Sequence, residues 1–126
     1  MADVLIVDDS KVMRDMICAC LKASAGLSTT QASSGLEAIE QLSLKRFDLV
    51  VLDLNMPDIG GVEVVEFIRK QDKLRAVPIL IVTTRGDEGS RATVMAAGAT
   101  RYLTKPFTPE TILAEVSALV PASPGS

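Results

Sequence analysis

A chain of 126 residues, 48% hydrophobic and 23% charged, is long enough for one domain with its own core and too short for two ordinary ones. Aromatics make up only 3%, so Leu, Ile, Val, Ala and Met must fill that core, and a net charge of −3 argues against gripping nucleic acid through its phosphates. No apolar stretch approaches a membrane span and no signal-like start is present, so a cytoplasmic protein is expected, and the absence of histidine excludes a catalytic imidazole on this chain.

The first apolar run, Val4–Val7, predicts a strand that ends at two adjacent carboxylates, Asp8 and Asp9. Ser10 is suited to cap the helix that the spacing predicts over Lys11–Ala23. In that helix Met13, Met16, Ile17 and Cys20 fall on one apolar stripe, which places Cys20 in the core. Cys18 lines up with Arg14 and Lys22, on the solvent side. Cysteines two residues apart on a helix point to different faces and do not bridge, and two cysteines without histidine make no metal site. Gly26 stands where the helix should stop.

Ser28–Ala32 (STTQA) is polar enough to be an edge strand, and Leu36–Leu44 has helical spacing. Leu49–Leu54 predicts a strand with Asp53 near its end. Helices follow over Val62–Gln71 and Ser90–Ala97, separated by the strand Pro78–Thr83, and Gly98 marks the second stop. Gly86 and Gly89 give backbone freedom to the loop before the fourth helix. Glu88, Arg91 and Met95 are expected on that helix's exposed face. The last strand, Arg101–Thr104, runs into Lys105, and Thr108 with Pro109 opens a helix over Pro109–Leu119. The Pro/Ser/Gly-rich residues 121–126 read as a flexible tail.

Five alternating strand–helix units predict an α/β fold: a doubly wound, five-stranded parallel sheet in the order 2-1-3-4-5, with helices on both faces. Val4–Val7, Leu49–Leu52 and Ile79–Val82 are continuous apolar runs, as strands covered on both sides require. Such sheets bind ligands at the carboxyl ends of their strands, where the order reverses between strands 1 and 3. Asp8, Asp9 and Asp53 should therefore meet there. Their repulsion suits a hard divalent cation, and Mg²⁺ fits a site with a few carboxylates and room for water and phosphate oxygens. Thr83 brings a hydroxyl and Lys105 an ammonium to the same edge. Those are the parts needed to receive a phosphoryl group, with Asp53 as nucleophile and Asp8 and Asp9 supporting the metal.

The joint set of DD at Asp8–Asp9, LDLNMP around Asp53, VTT around Thr83 and KPF at Lys105–Phe107 resembles a response-regulator receiver domain. The resemblance runs from about Asp3 to Val120, and within the family it is similar to the single-domain, CheY-like chemotaxis type. It implies a receiver over residues 1–120 with Asp53 as phosphoacceptor from the phosphohistidine of a histidine kinase. Asp9, Asp53 and the backbone carbonyl of Asn55 would ligate Mg²⁺, with Asp8 acting partly through water. Thr83 and Lys105 would contact the phosphoryl oxygens, Tyr102 would turn inward on activation, and Lys105–Pro106 would be cis. A downstream protein would bind the face made by the fourth helix, fifth strand and fifth helix. The domain would be monomeric, with no nucleic-acid partner and no membrane insertion.

One departure is visible: MPDIGG stands where the family usually has MPxMDG, so Gly60 replaces an Asp that would cap the third helix. Thr84, larger than the Ala common there, is expected to narrow access to Asp53, and Asn55 and Arg85 stand where the family tunes phosphoryl lifetime. A flavodoxin-type electron carrier shares the topology, but DDSKV after strand 1 would repel a flavin phosphate. An aspartyl-nucleophile phosphatase would carry DxD after strand 1. The remaining alternative is a receiver from a longer multidomain regulator or a hybrid kinase.

Overall fold

The computed structural model describes residues 2–23, 27–84 and 86–120. Strands β1 (Ala2–Val7), β2 (Leu27–Ala32), β3 (Leu49–Leu52), β4 (Ile79–Thr83) and β5 (Arg101–Thr104) alternate with helices α1 (Lys11–Lys22), α2 (Gly35–Leu44), α3 (Gly61–Lys70), α4 (Glu88–Ala97) and α5 (Pro109–Leu119). The strands form one parallel sheet in the order β2-β1-β3-β4-β5, as the alternation of runs predicts.

Every residue of β3 and β4 is buried, as are the last four of β1, because helices cover both faces of the central strands. On one face Leu5, Val7, Val50, Leu52, Ile79 and Ile81 pack against α2, α3 and Val94 of α4. On the other, Val4, Ile6, Leu49, Val51, Leu80 and Val82 meet Ile17 and Leu21 of α1 and Ile112 and Val116 of α5. Successive strand residues alternate between these two cores, which is the pleat expressed as packing. Each such Leu or Ile, fully buried, contributes roughly 1.5–3 kcal/mol. β2 lies at an edge and is only partly covered along most of its length, as its polarity predicts.

The helix signals are chemical as well as periodic. Ser10 and Thr108 accept from the backbone N–H groups of Met13 and Thr111, and Pro109 is the first residue of α5. Ser34 and Asp87 cap α2 and α4 in the same way, which lengthens both helices at their starts relative to Leu36 and Ser90. Gly98 ends α4 at φ 122°, in the region that favours glycine, and a Cβ there would lie 2.7 Å from Arg69 Cγ. β3 ends at Leu52 rather than Leu54, because the chain turns out of the sheet at Asp53 and Leu54.

Two expectations on helix faces are corrected. Cys18 is buried at 6% exposure, whereas Cys20 is half-buried and Met16 is 40% exposed. The cause is the edge strand: α1 covers β2 as well as β1, and Gln31 of β2 donates to Cys18 Sγ at 3.4 Å. Arg14 shares that face and also turns inward. Met95 of α4 is half-buried against the core, while Glu88 and Arg91 are exposed as expected. The expectations placed on Gly26, Arg85 and the tail 121–126 lie outside the described residues.

Candidate functional site

Register brings the site together. Val7 pairs with Leu52, so the residues that follow, Asp8 and Asp53, leave adjacent strands side by side. The Asp53 N–H donates to the Val7 carbonyl at 3.0 Å, and the Asp8 N–H donates to the Ala32 carbonyl at 3.1 Å. Thr83 pairs with Thr104, and the Lys105 N–H donates to the Thr83 carbonyl at 2.8 Å. Four strands thus deliver their terminal side chains to one edge, at the point where strand order reverses.

The carboxylates of Asp8, Asp9 and Asp53 each place an oxygen within 4.8 Å of the others. Asp8 and Asp53 are 2% and 5% exposed, and Asp9 is open to solvent. Lys105 bridges the two buried acids: its ammonium lies 2.8 Å from Asp8 Oδ2 and 3.7 Å from Asp53 Oδ2. The other Asp8 oxygen accepts from the Ser10 N–H at 2.9 Å, and Asp53 Oδ1 accepts from the Asn55 N–H at 3.3 Å. Burial pushes the Asp53 carboxyl above the usual range, and the neighbouring Asp8 charge adds to this. Lys105, the Asn55 N–H and a hydrogen bond from Thr83 pull in the opposite direction without cancelling it.

The donor set fits a hard cation. Every ligand atom available from the three acids is a carboxylate oxygen, one ammonium cannot neutralise three negative charges, and the exposed Asp9 leaves a side open for water. Asp53 accepts from the Asn55 N–H at 3.3 Å and from Thr83, and the ammonium lies 3.7 Å from its Oδ2, whereas it lies 2.8 Å from Asp8, so Lys105 is committed first to Asp8. The same arrangement can hold an oxyanion: Thr83 and Lys105 approach Asp53 from β4 and β5.

The other expected residues stand around this centre. Asn55 donates through its side chain to Thr84 Oγ1 at 3.4 Å, so the residue expected to narrow access to Asp53 touches one expected to tune phosphoryl lifetime. Tyr102 pairs with Ile81 in the sheet, is half-buried, and has the Arg91 guanidinium 5.6 Å from its ring centroid. Lys105–Pro106 is cis, as the resemblance implies. Gly60 is the α3 N-cap and provides no side-chain hydrogen bond, so the substitution at that position removes a cap and nothing from the acidic cluster. Next to it, Gly61 lies so close to the site backbone that a Cβ would fall 2.8 Å from the Asp53 carbonyl oxygen and the Leu54 Cα. An open hollow of about 730 Å³ separates this loop from α4, lined by Asn55, Met56, Glu63 and Ser90 among others.

Two residues that sequence reasoning missed support the site from behind. Arg14 Nη1 donates to the Asp8 carbonyl at 2.7 Å while its Nε donates to Gln31 Oε1 at 2.9 Å, tying the first acid to the edge strand. Asp58, in the loop after Asp53, accepts from the N–H groups of Gly35 and Leu36 at 3.1 and 3.0 Å, so that loop is fastened to the start of α2. The only sequence signal for Arg14 was its place beside Cys18 on a face that a polar β2 residue, Gln31, could meet. Asp58 gave none, since its partners lie more than twenty residues away.

The response regulator receiver domain family matches residues 4–117. The phosphate regulon transcriptional regulatory protein PhoB of Escherichia coli is 30% identical over 117 residues, 93% of this chain, and the chain spans about half (51%) of that relative's length. A chemotaxis protein CheY homolog of Campylobacter jejuni is 38% identical over 111 residues, covering 86% of this chain and 85% of the homolog. Among solved structures, the chemotaxis response regulator CheY4 of Vibrio cholerae superposes with a TM-score of 0.89 at 38% identity, over 95% of this chain and 99% of that one.

Proposed function

The chain belongs to the response regulator receiver domain family, the phosphoacceptor switches of two-component systems, and on that premise we propose that Asp53 is the residue that carries the phosphoryl group. The observation that carries this reading is the Lys105 bridge: one ammonium shared by Asp8 and Asp53 at 2.8 and 3.7 Å, closer to Asp8 and so leaving Asp53 the acid it pairs with less tightly. An Asp53 oxygen attacks phosphorus of a kinase phosphohistidine, the P–N bond breaks, and its electron pair leaves with the imidazole. Receiver domains generally bind Mg²⁺ in such an acidic pocket; here Asp9, Asp53 and the Asn55 carbonyl would hold it, with Asp8 acting through water. The ion, when bound, offsets negative charge on the phosphoryl oxygens. Thr83 and Lys105 contact those oxygens from β4 and β5, and Asn55 with Thr84 limits access to the acyl phosphate.

Drawing Thr83 towards the phosphoryl group shifts the β4–α4 loop and lets Tyr102 turn inward, which alters the α4–β5–α5 face that a downstream protein reads. Receiver domains interact with histidine kinases and downstream targets. For this chain the matches to chemotaxis CheY proteins over most of their length support a motility-type output, which we assign to a monomeric, cytoplasmic receiver domain over residues 1–120. The PhoB match at similar identity favours a second reading, the receiver of a longer regulator, which the position of the gene's stop codon tests directly.

Incubation with a small acyl-phosphate donor should label the protein only when Mg²⁺ is present, and Asp53→Asn should abolish the label. Equal labelling of the Asn variant would overturn the assignment of the acceptor.

A further inference from the structure

The end of the sheet opposite the acidic cluster carries the opposite charge. Residues 42–47 and 67–77 contain Lys45, Arg46, Arg69, Lys70, Lys73 and Arg75, with Asp72 as their one acid. Nearly half of the chain's 13 Lys and Arg thus gather at one end of a molecule with net charge −3. Arg69 is used internally, donating to the carbonyls of Gly98, Arg75 and Val77. Arg46, Lys70 and Lys73 are exposed, and no described residue hydrogen-bonds or ion-pairs with their side chains.

Apolar surface lies among these cations. Leu44, the last residue of α2, is 72% exposed, although its neighbour Leu42 is buried. Two adjoining hollows of about 370 and 430 Å³ share Leu42, Ser43, Lys73 and Leu74; Phe67 lines one of them, and Leu44 with Arg46 lines the other. Cations near a helix C-terminus complement its dipole, which accounts for Lys70 in α3 and for Lys45 and Arg46 just beyond α2. That effect does not extend to Lys73 in the following loop, nor does it explain a leucine left in water between them.

We propose that this groove docks an acidic segment of a partner protein, an apolar side chain flanked by Asp or Glu. Its hollows accept the anchor and its rim of Arg46 and Lys73 meets the carboxylates, while Lys45 is already paired with Asp3 at 3.8 Å, an arrangement of central apolar contact and charged rim that protein interfaces use. Nucleic acid fits less well: the chain as a whole is negative, and no exposed aromatic offers a stacking platform there. The groove sits at the amino ends of β3 and β4 and the acidic cluster at their carboxyl ends. The separation is the length of those strands, roughly 13–17 Å at about 3.3 Å per residue. No residue that lines the groove belongs to the acidic cluster, and docking here, as proposed, does not read the state of Asp53.

The test is a titration of the full chain with a synthetic peptide bearing one Leu flanked by Glu, read by amide chemical shifts. Saturable shifts should appear at residues 42–47 and 67–77, and the affinity should fall as salt is added. The Arg46→Glu/Lys73→Glu double variant should bind at least about tenfold more weakly while keeping the wild-type melting temperature. Leu44→Ser should weaken binding as well, and beryllofluoride with Mg²⁺ should leave the wild-type affinity unchanged. No saturable binding, equal binding of a Lys-flanked control peptide or of a single-stranded oligonucleotide, shifts centred on α4 and β5, or an affinity altered by beryllofluoride would each overturn the proposal.

Discussion

Asp53 and Asp58 are five residues apart in one loop, and their surroundings move their acidities in opposite directions. Asp53 is raised, first by burial and then by the Asp8 charge. Its folded state binds a proton more tightly than its unfolded state, so its contribution to stability falls as pH rises from the unfolded value of 3.8 through the folded one. Asp53→Asn removes that repulsion and should stabilise the metal-free protein by about 1 kcal/mol at neutral pH, the scale of an ordinary single substitution. Denaturant melts across pH would check this: the advantage of the variant should grow as pH rises above 3.8 and vanish in acid. Asp8, Asp9 and Asp53 were legible because each stands at the end of an apolar run, and Lys105 because it follows the last strand, RYLT. Cys18 and Arg14 were not, because periodicity along one helix does not reveal that α1 also covers an edge strand.

At the scale of elements, the loop after β3 is held at both ends. Gly61 packs against its start, and the Asp58 carboxylate accepts from the first two N–H groups of α2. Backbone N–H groups, chiefly that of Leu36, then that of the adjacent Ile59 and that of Gly35, hold the Asp58 carboxyl down at about 2. The sign is opposite to that of Asp53: the stabilisation is complete above 3.8 and is lost as pH falls towards 2. Asp58→Ala should therefore speed amide exchange at Gly35 and Leu36 at neutral pH, with little change in the α3 core around Val64 and Val65. The helices themselves were legible to within a residue or two from spacing and caps. Asp87 as the α4 cap was missed because Gly86 and Gly89 around it resemble an ordinary loop, and the carboxyl limit of β3 was overestimated because Leu54 extends an apolar run after the strand has ended.

For the whole molecule, the strand order followed from the polarity of the runs: three that are apolar throughout must be central, and STTQA must lie at an edge. What composition concealed was polarity of another kind. The acidic cluster of Asp8, Asp9 and Asp53 lies at the carboxyl end of the sheet and six of the 13 Lys and Arg gather at the amino end, and a net charge of −3 conceals both. The acidic end is where binding adds stability. Adding Mg²⁺ should raise the melting temperature of the wild-type protein, by mass action on the folded state alone, and should do so much less in Asp9→Asn or Asp53→Asn. An equal rise in all three proteins, followed by differential scanning fluorimetry, would place the ion elsewhere.

Arg69 gives this architecture a mechanical asymmetry. Its guanidinium joins the end of α3 to the carbonyls of Arg75, Val77 and Gly98, so the far end of α4 is pinned to the floor of the domain. The near end of α4 lies beside the acidic cluster, and Val94 is the one α4 residue that is fully buried. A displacement of α4 would then be a swing about a fulcrum at Gly98. The lever is ten residues, about 15 Å, long, and a small pull at Asp87 travels furthest where the helix meets the loop after Thr83.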